Sequence, residues 1–343
     1  MSITKKYTTH FVILWLLLLF FLLVNLSLGS VSIPLIDIFY ILTGSEPLKN
    51  SWETIVLNYR LPKALTAVLV GSGLSVSGLL MQTLFRNPLA GPFVLGISSG
   101  ASLGVALFML GSGLFGGLSY YYIFASWSKA LAAGIGAFLV LLAVIFVANK
   151  LRNTMSVLLV GLMFSSFTSA MISVLSYFSE ATQIKQYQFW NFGSFGNLTW
   201  REVLIFTLIY LLAISSTFVA IKPLNSLLLG ESYAVSLGIN IKKSRNIILI
   251  ITSLLTGAIT AFSGPIAFVG IAVPHLAKIV FSSSNHKVLL PASALIGAIC
   301  LLICDNIAQL PNSEFILPIN AVTSILGAPV VIWLLVVKRN IYV

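Results

Sequence analysis

Charge is what this sequence has least of. Only 8% of its 343 residues are Asp, Glu, Lys or Arg, where a soluble domain carries about a quarter. A water-facing surface cannot be built from so few charges. With 58% hydrophobic residues and a mean hydropathy of +1.05, the solvent of this chain is lipid. Cysteine is nearly absent too. Cys300 and Cys304 sit one helical turn apart in an apolar run, which excludes a disulfide framework and, without His, Asp or Glu at ligand spacing, a zinc site. They read as small packing residues. No G-x-x-x-x-G-K-[ST] occurs and no Gly precedes a Lys, so the chain carries no P-loop for nucleotide hydrolysis. No nucleophile–base pair or metal cluster stands out either. The expectation is a membrane chain with no catalytic residue, no metal and no cofactor.

What is present is long apolar runs from end to end. A membrane helix needs about 20 mostly apolar residues, and ten candidates follow: 11–28, 62–84, 90–110, 130–148, 155–177, 202–221, 246–264, 267–281, 288–305 and 318–337. The first resembles a signal peptide, but its run is too long for an h-region and no A-x-A site follows, so an uncleaved span is expected. The seventh and eighth are separated only by Ser263-Gly264-Pro265. These runs predict one all-α, polytopic membrane domain over residues 1–343.

The net charge of +11 is read as a membrane signature rather than a nucleic-acid signal. With the N-terminus (1–10) inside, an even span count returns the C-terminus there. The inner segments then hold Lys5, Lys6, Arg86, Lys150, Arg152, Lys222, Lys242, Lys243, Arg245, Lys278, Lys287, Lys338 and Arg339. The outer ones hold Lys49, Arg60, Lys63, Lys129, Lys185 and Arg201. That asymmetry follows the positive-inside rule. Of the eight acidic residues only Glu231 falls inside. Outer segments carry Tyr120-Tyr121-Tyr122 and Phe189-Trp190-Asn191-Phe192, as interfacial belts do.

Against this background the stretch FRNPLAGPFVLG (85–96) is out of character. It falls at the inner turn between spans two and three, where Pro88 and Pro92 forbid a continuous helix. A shift of 186 residues pairs Thr66 with Thr252, Leu69 with Leu255, Gly71 with Gly257, Ser77 with Ser263, Gly78 with Gly264 and Pro88 with Pro274. Two readings stand: an inverted repeat, as in many transporters, or shared use of small residues in membrane helices. In span five, Ser165, Ser169, Ser173 and Ser176 recur at spacings that place them on one face. They read either as the polar wall of a path or as a small-residue packing face. Intramembrane carboxylates are scarce, with Asp305 nearest, and His275 stands alone in its span. A proton-coupled carrier needs such groups as relays, so an ion-coupled secondary transporter is the weaker alternative. A gated path driven by a partner is the stronger one.

Several segments then coincide with one family. RLPKALTAVLVGSGLSVSGLLMQTLFRNPLAGPFVLGISSGA (60–101), LLLGESYAVSLGI (227–239), SGPIAFVGIAVPHLAK (263–278), LLPASALIGA (289–298) and ILGAPVVIWLL (325–335) resemble, in order, the motifs of FecCD-family permeases. These serve ABC importers of iron–siderophores, haem and cobalamin. The resemblance implies a ten-span fold with spans two to five repeated as spans seven to ten. It implies a homodimer in the cytoplasmic membrane, a pair of cytoplasmic ATPases and an external substrate-binding protein. An iron chelate is the expected cargo, with haem or cobalamin as the alternative.

The resemblance also implies roles for residues. Asn87 and Leu89 match one cytoplasmic gate. Thr154 and Met155, after Asn153, match the other, where Met155 replaces an expected small hydroxyl residue. Within the loop 222–245, Gly230, Glu231, Ala234, Leu237 and Gly238 match the segment that couples to an ATPase; the plainer reading is a surface turn. Arg60 and Lys63 match positions that meet glutamates of a binding protein. A third such position, usually Arg, is Gln309 here.

Overall fold

The computed structural model describes residues 3–111, 125–151, 154–196, 198–309 and 315–337, and these fold into helices without a strand. The helices are α1 (Ile3–Ser27), α2 (Leu35–Thr43), α3 (Asn50–Ile55), α4 (Leu61–Leu84), α5 (Ile97–Met109), α6 (Ala125–Lys150) and α7 (Thr154–Tyr177). They continue as α8 (Ala181–Asn191), α9 (Trp200–Leu227), α10 (Glu231–Ser236), α11 (Ile241–Ser263), α12 (Val269–Phe281), α13 (His286–Ala308) and α14 (Ile319–Val337). Every expected span is a helix. Seven are long and apolar enough to cross a membrane; α5, α12 and α14 are apolar but shorter.

The helices depart from the expected spans at their ends. The second span begins earlier, because a π-helical segment, Val56–Arg60, fuses α3 and α4 into one rod from Asn50 to Leu84. The third is shorter. Its first residues form a 3-10 turn, Pro92–Leu95, and Gly96 at φ 76° turns the chain before α5 begins. That left-handed conformation costs glycine little. The break after Ser263 also widens, since α12 starts only at Val269, behind Phe268 at φ 65°. Thus a long helix followed by a 13-residue helix entered at positive φ occurs twice, in α4–α5 and in α11–α12. Two further helices follow each time, which is the repeated order that the sequence echo suggested. Helix α8 was invisible to span counting because it is polar. Its start is written as Glu180 and Gln183, which form a reciprocal capping box.

The chain divides into two compact units. The first comprises residues 1–76, 194–207 and 267–343; the second comprises 77–193 and 208–266. In the first, α13 packs on α1, α12 and α14. In the second, α5 lies against α6, α7 and α11. Hydrophobic burial cannot hold such helices together in lipid, so close backbone approach must. Gly100 and Gly104 on α5 meet Ala132 and Gly136 on α6 so closely that a Cβ on Gly100 would stand 2.7 Å from the Gly136 carbonyl oxygen.

Candidate functional site

The turn after α4 is held by its own polar atoms. Arg86 takes φ 48°, the Asn87 N–H donates to the Gln82 carbonyl at 3.1 Å, and Asn87 Oδ1 accepts the Leu89 N–H at 2.9 Å. Asn87 is therefore the pin of the turn, which leaves Leu89 projecting, 41% exposed. Downstream, the 3-10 turn leans on α7, where a Cβ on Gly96 would stand 2.9 Å from the Gly161 carbonyl oxygen. Ser165, one turn along α7, returns its hydroxyl to that same carbonyl at 3.1 Å.

The serine stripe continues up α7. Ser165 and Ser176 are half-buried, whereas Ser169 and Ser173 are exposed. Ser173 Oγ donates to the Ser169 carbonyl at 3.0 Å. Such back-bonded hydroxyls can face lipid, a neighbouring helix or water without leaving a donor unpaired. Met155, in the first turn of α7, is 48% exposed. Asn153 and the Thr154 side chain lie outside the described residues, as do Arg152, Tyr120-Tyr121-Tyr122, Lys338 and Arg339.

The segment between α9 and α11 is built for rigidity at small size. Gly230 at φ 108° starts α10, a helix of six residues. It ends in a closed motif: the Gly238 N–H donates to the Val235 carbonyl at 2.9 Å and the Ile239 N–H to the Ala234 carbonyl at 3.0 Å. Gly238 at φ 78° is the left-handed residue that this double closure requires. Ala234 faces inward with no exposed surface, while Tyr233, Val235 and Leu237 are at least half exposed. Asn240 then caps α11 by accepting the Lys243 N–H at 2.9 Å.

The other set of expected residues lies in the first unit, and much of its polarity turns inward. Lys63 Nζ is 3.0 Å from Asp305 Oδ1. Asp305 Oδ2 accepts from Asn25 Nδ2 and from Gln309 Nε2, each at 2.8 Å. Arg60 is buried. Its Nη1 donates to the carbonyls of Leu26 at 2.6 Å and Ser27 at 2.9 Å, and its Nη2 to that of Val31. Arg60 thus closes the open carbonyl end of α1. Asp305 as the hub was missed in the sequence because its partners lie 4, 242 and 280 positions away. Only Gln309, at helical spacing, was locally visible.

Comparison with known proteins then gives the chain its relatives. The model of the FecCD transport family matches residues 17–337. The vitamin B12 import system permease proteins BtuC of Salmonella paratyphi A (strain ATCC 9150 / SARB42) and Salmonella typhi are each 38% identical over 289 residues, which cover 82% of this chain and 84% of theirs. A solved structure, assigned as an inward-facing conformation of a metal-chelate type ABC transporter, superposes with a TM-score of 0.83 at 29% identity, over 97% of this chain and all of that one. The helix order, the polar turn after α4 and the closed α10 therefore belong to a permease of the ABC importer class, and the chain is a member of the FecCD transport family.

Proposed function

We propose that this chain is the membrane path of an importer whose energy comes from a separate ATPase pair and whose cargo, a bulky metal chelate, is delivered by an external binding protein. Two copies form the path. Both termini and the 222–245 segment lie on the cytoplasmic side of the cell membrane, as the distribution of basic residues suggests. The observation that carries the reading is α10. A six-residue helix closed at its end, with Tyr233, Val235 and Leu237 exposed, presents an apolar surface in a basic loop that is best explained by an ATPase groove.

The remaining roles follow from position. Asn87 and Leu89, with Thr154 and Met155, form the cytoplasmic gate. Ser165, Ser169, Ser173 and Ser176 line the path where two copies meet. Gly230, Glu231, Ala234, Leu237 and Gly238 form the coupling element. Lys63 meets the binding protein, and Arg60 acts there by fixing the end of α1 and the loop that follows. No carboxylate relay is required of such a machine, and all of these elements serve one permease domain.

Cobalamin is the first cargo to test, because relatives 38% identical carry that name. A ferric siderophore is the second, in keeping with the metal-chelate name of the structural relative, and haem is the third. The test is uptake into liposomes that hold the chain with its co-purified partners, with labelled cobalamin, ferric siderophore and haem offered in parallel. ATP-dependent accumulation of one chelate, delivered with a binding protein, is expected. Uptake by the chain alone, driven by an ion gradient, would replace this reading with that of a secondary transporter.

A further inference from the structure

Helix α2 belongs to neither the proposed gate nor the proposed coupling element, and its chemistry is unusual for a helix outside the spans. Its start is fastened to the end of α1. The Ser27 hydroxyl donates to the Ile33 carbonyl at 2.8 Å, and the Ile33 N–H donates back to the Ser27 carbonyl at 3.1 Å. α2 then packs on α1. At helical spacing Leu35, Ile36, Phe39, Tyr40, Leu42 and Thr43 fall on one continuous arc, and all six are exposed, Phe39 by 64%. Asp37, Ile38 and Ile41 fall on the opposite arc and are buried. The one charge of the helix therefore turns into protein, where Asp37 Oδ1 accepts the Leu48 N–H at 3.0 Å, and the apolar side chains turn out. A helix lying against water is patterned the other way round. The backbone is closed as well. With Gly44 at φ 77°, the Gly44 N–H donates to the Ile41 carbonyl at 3.2 Å and the Ser45 N–H to the Tyr40 carbonyl at 2.8 Å. The Thr43 hydroxyl donates to the Phe39 carbonyl at 2.9 Å. Charged residues resume just beyond, at the exposed Glu46 and Lys49.

We propose that the exposed arc of α2 is a lipid-binding surface: α2 lies along the membrane boundary with this arc in the acyl chains of the leaflet at the C-terminal end of α1, and with Glu46 and Lys49 in water. Three observations select lipid over a protein partner. α2 is fastened to a helix apolar enough to cross a membrane, whose own exposed side chains include Trp15, Leu16, Leu19 and Phe20, so the two apolar surfaces belong to one packed pair. The last carbonyls and the one aliphatic hydroxyl of the arc are satisfied within the helix itself, which lipid demands and a wet interface does not. The arc carries no charge to orient a protein, and its Tyr40 is an amphipathic ring of the kind that sits at membrane interfaces. The nine residues of α2 rise about 13 Å, less than half of a hydrocarbon core of about 30 Å, which confines it to one leaflet. That this leaflet is the outer one rests on the orientation proposed above; the lipid contact does not. Ser27 is also held by Arg60, so a lipid-seated α2 fixes the level of that junction in the membrane.

The experiment reads what touches the arc. The sample is the full chain with its co-purified partners in liposomes of phosphatidylcholine and phosphatidylglycerol. Cys300 and Cys304 are replaced by alanine, and an environment-sensitive fluorophore is attached at Ile36→Cys, Phe39→Cys or Glu46→Cys, all exposed positions. Quenching by phosphatidylcholine with a nitroxide on its acyl chain is compared with quenching by aqueous iodide. The lipid nitroxide should quench at Ile36 and Phe39 at least about threefold more strongly than at Glu46, and iodide in the reverse order. Phe39→Asp should lower lipid quenching at Ile36→Cys by about half or more, and Phe39→Leu should leave it unchanged. Iodide quenching at Ile36 and Phe39 equal to that at Glu46 would put the arc in water. Shielding from both quenchers would put it against protein, whether a second copy or a partner. Either result overturns the lipid surface. The side is read separately, with a charged, membrane-impermeant maleimide on intact cells. Labelling of Glu46→Cys from outside is expected, whereas labelling only after lysis would reverse the orientation proposed for the chain and overturn the assignment to the outer leaflet.

Discussion

Lys63 Nζ sits 3.0 Å from Asp305 Oδ1, with side chains 16% and 4% exposed. The cation expected to reach outward for a binding protein is thus held by an internal carboxylate. That carboxylate is also the acceptor for Asn25 and Gln309. In the docking role proposed for Lys63, a glutamate arriving on a binding protein would have to compete with Asp305, and docking would be an exchange of partners on α13.

The exchange can be tested from both sides. Lys63→Glu should weaken association of the binding protein, most visibly at low salt, where charge complementarity acts over the longest range. Asp305→Asn should free Lys63 and tighten association, while costing about 2 kcal/mol of stability through the lost charge-assisted hydrogen bonds. Association rates at two salt concentrations, together with thermal midpoints in detergent, separate the two effects. Equal association in all three proteins would remove Lys63 from the docking surface.

Arg60 should behave differently from Lys63 although the two are three residues apart. Its guanidinium holds the carbonyls of Leu26, Ser27 and Val31, so Arg60→Gln leaves buried acceptors unpaired at about 1–3 kcal/mol. The expected result is a lower thermal midpoint together with a modest loss of affinity for the partner, because the loop that Arg60 fixes is released. Native stability with lost affinity would mean that Arg60 itself makes the contact.

That contrast shows what the sequence could and could not disclose. The ten apolar helices were legible because lipid demands long apolar runs, and the turn at 85–96 because proline forbids a helix there. The closure of α10 is encoded within a few neighbouring residues, with Gly238 as its left-handed end. The inward commitment of Arg60 was not legible. Its partners are backbone carbonyls, which no residue type announces, and an Arg on an outer loop looks the same whether it points out or in. The π-helical segment that sets its direction leaves no pattern of its own either. The short lengths of α5 and α12 depend on where backbone torsions turn positive, at Gly96 and at Phe268, and only the first of these residue types signals it.

Close helix packing in the second unit gives a prediction independent of transport. Gly136 meets Gly100 and Gly104 on α5 backbone to backbone, whereas Gly134 on the same helix has open space at its Cβ position. Gly136→Leu must push α5 and α6 apart and should cost about 3 kcal/mol, the upper range for overpacking. Gly134→Ala should change stability by less than about 0.5 kcal/mol. Unfolding of the purified protein in detergent measures both. Similar values for the two would mean that the α5–α6 contact does not depend on glycine.

The proposed coupling role of α10 offers the sharpest dissociation of folding from function. Gly238 adopts φ 78° and donates its N–H to the Val235 carbonyl. Gly238→Pro removes that donor and forbids that torsion, so the closure of α10 fails. Gly238→Asn keeps the donor and is the substitution that left-handed geometry best tolerates. Because α10 is exposed and short, neither change should impair insertion of the long helices. Glu231→Arg reverses the charge in the first turn of α10 and should act like the proline variant. The expected pattern is native amounts of membrane protein in all three. ATP hydrolysis should persist but no longer drive uptake in Gly238→Pro and Glu231→Arg, and uptake should be near native in Gly238→Asn. Uptake and hydrolysis measured on the same liposomes decide it. Native uptake in Gly238→Pro would show that the closed shape of α10 is incidental, and would move the search for the coupling surface to the exposed Leu228 and Leu229 beside it.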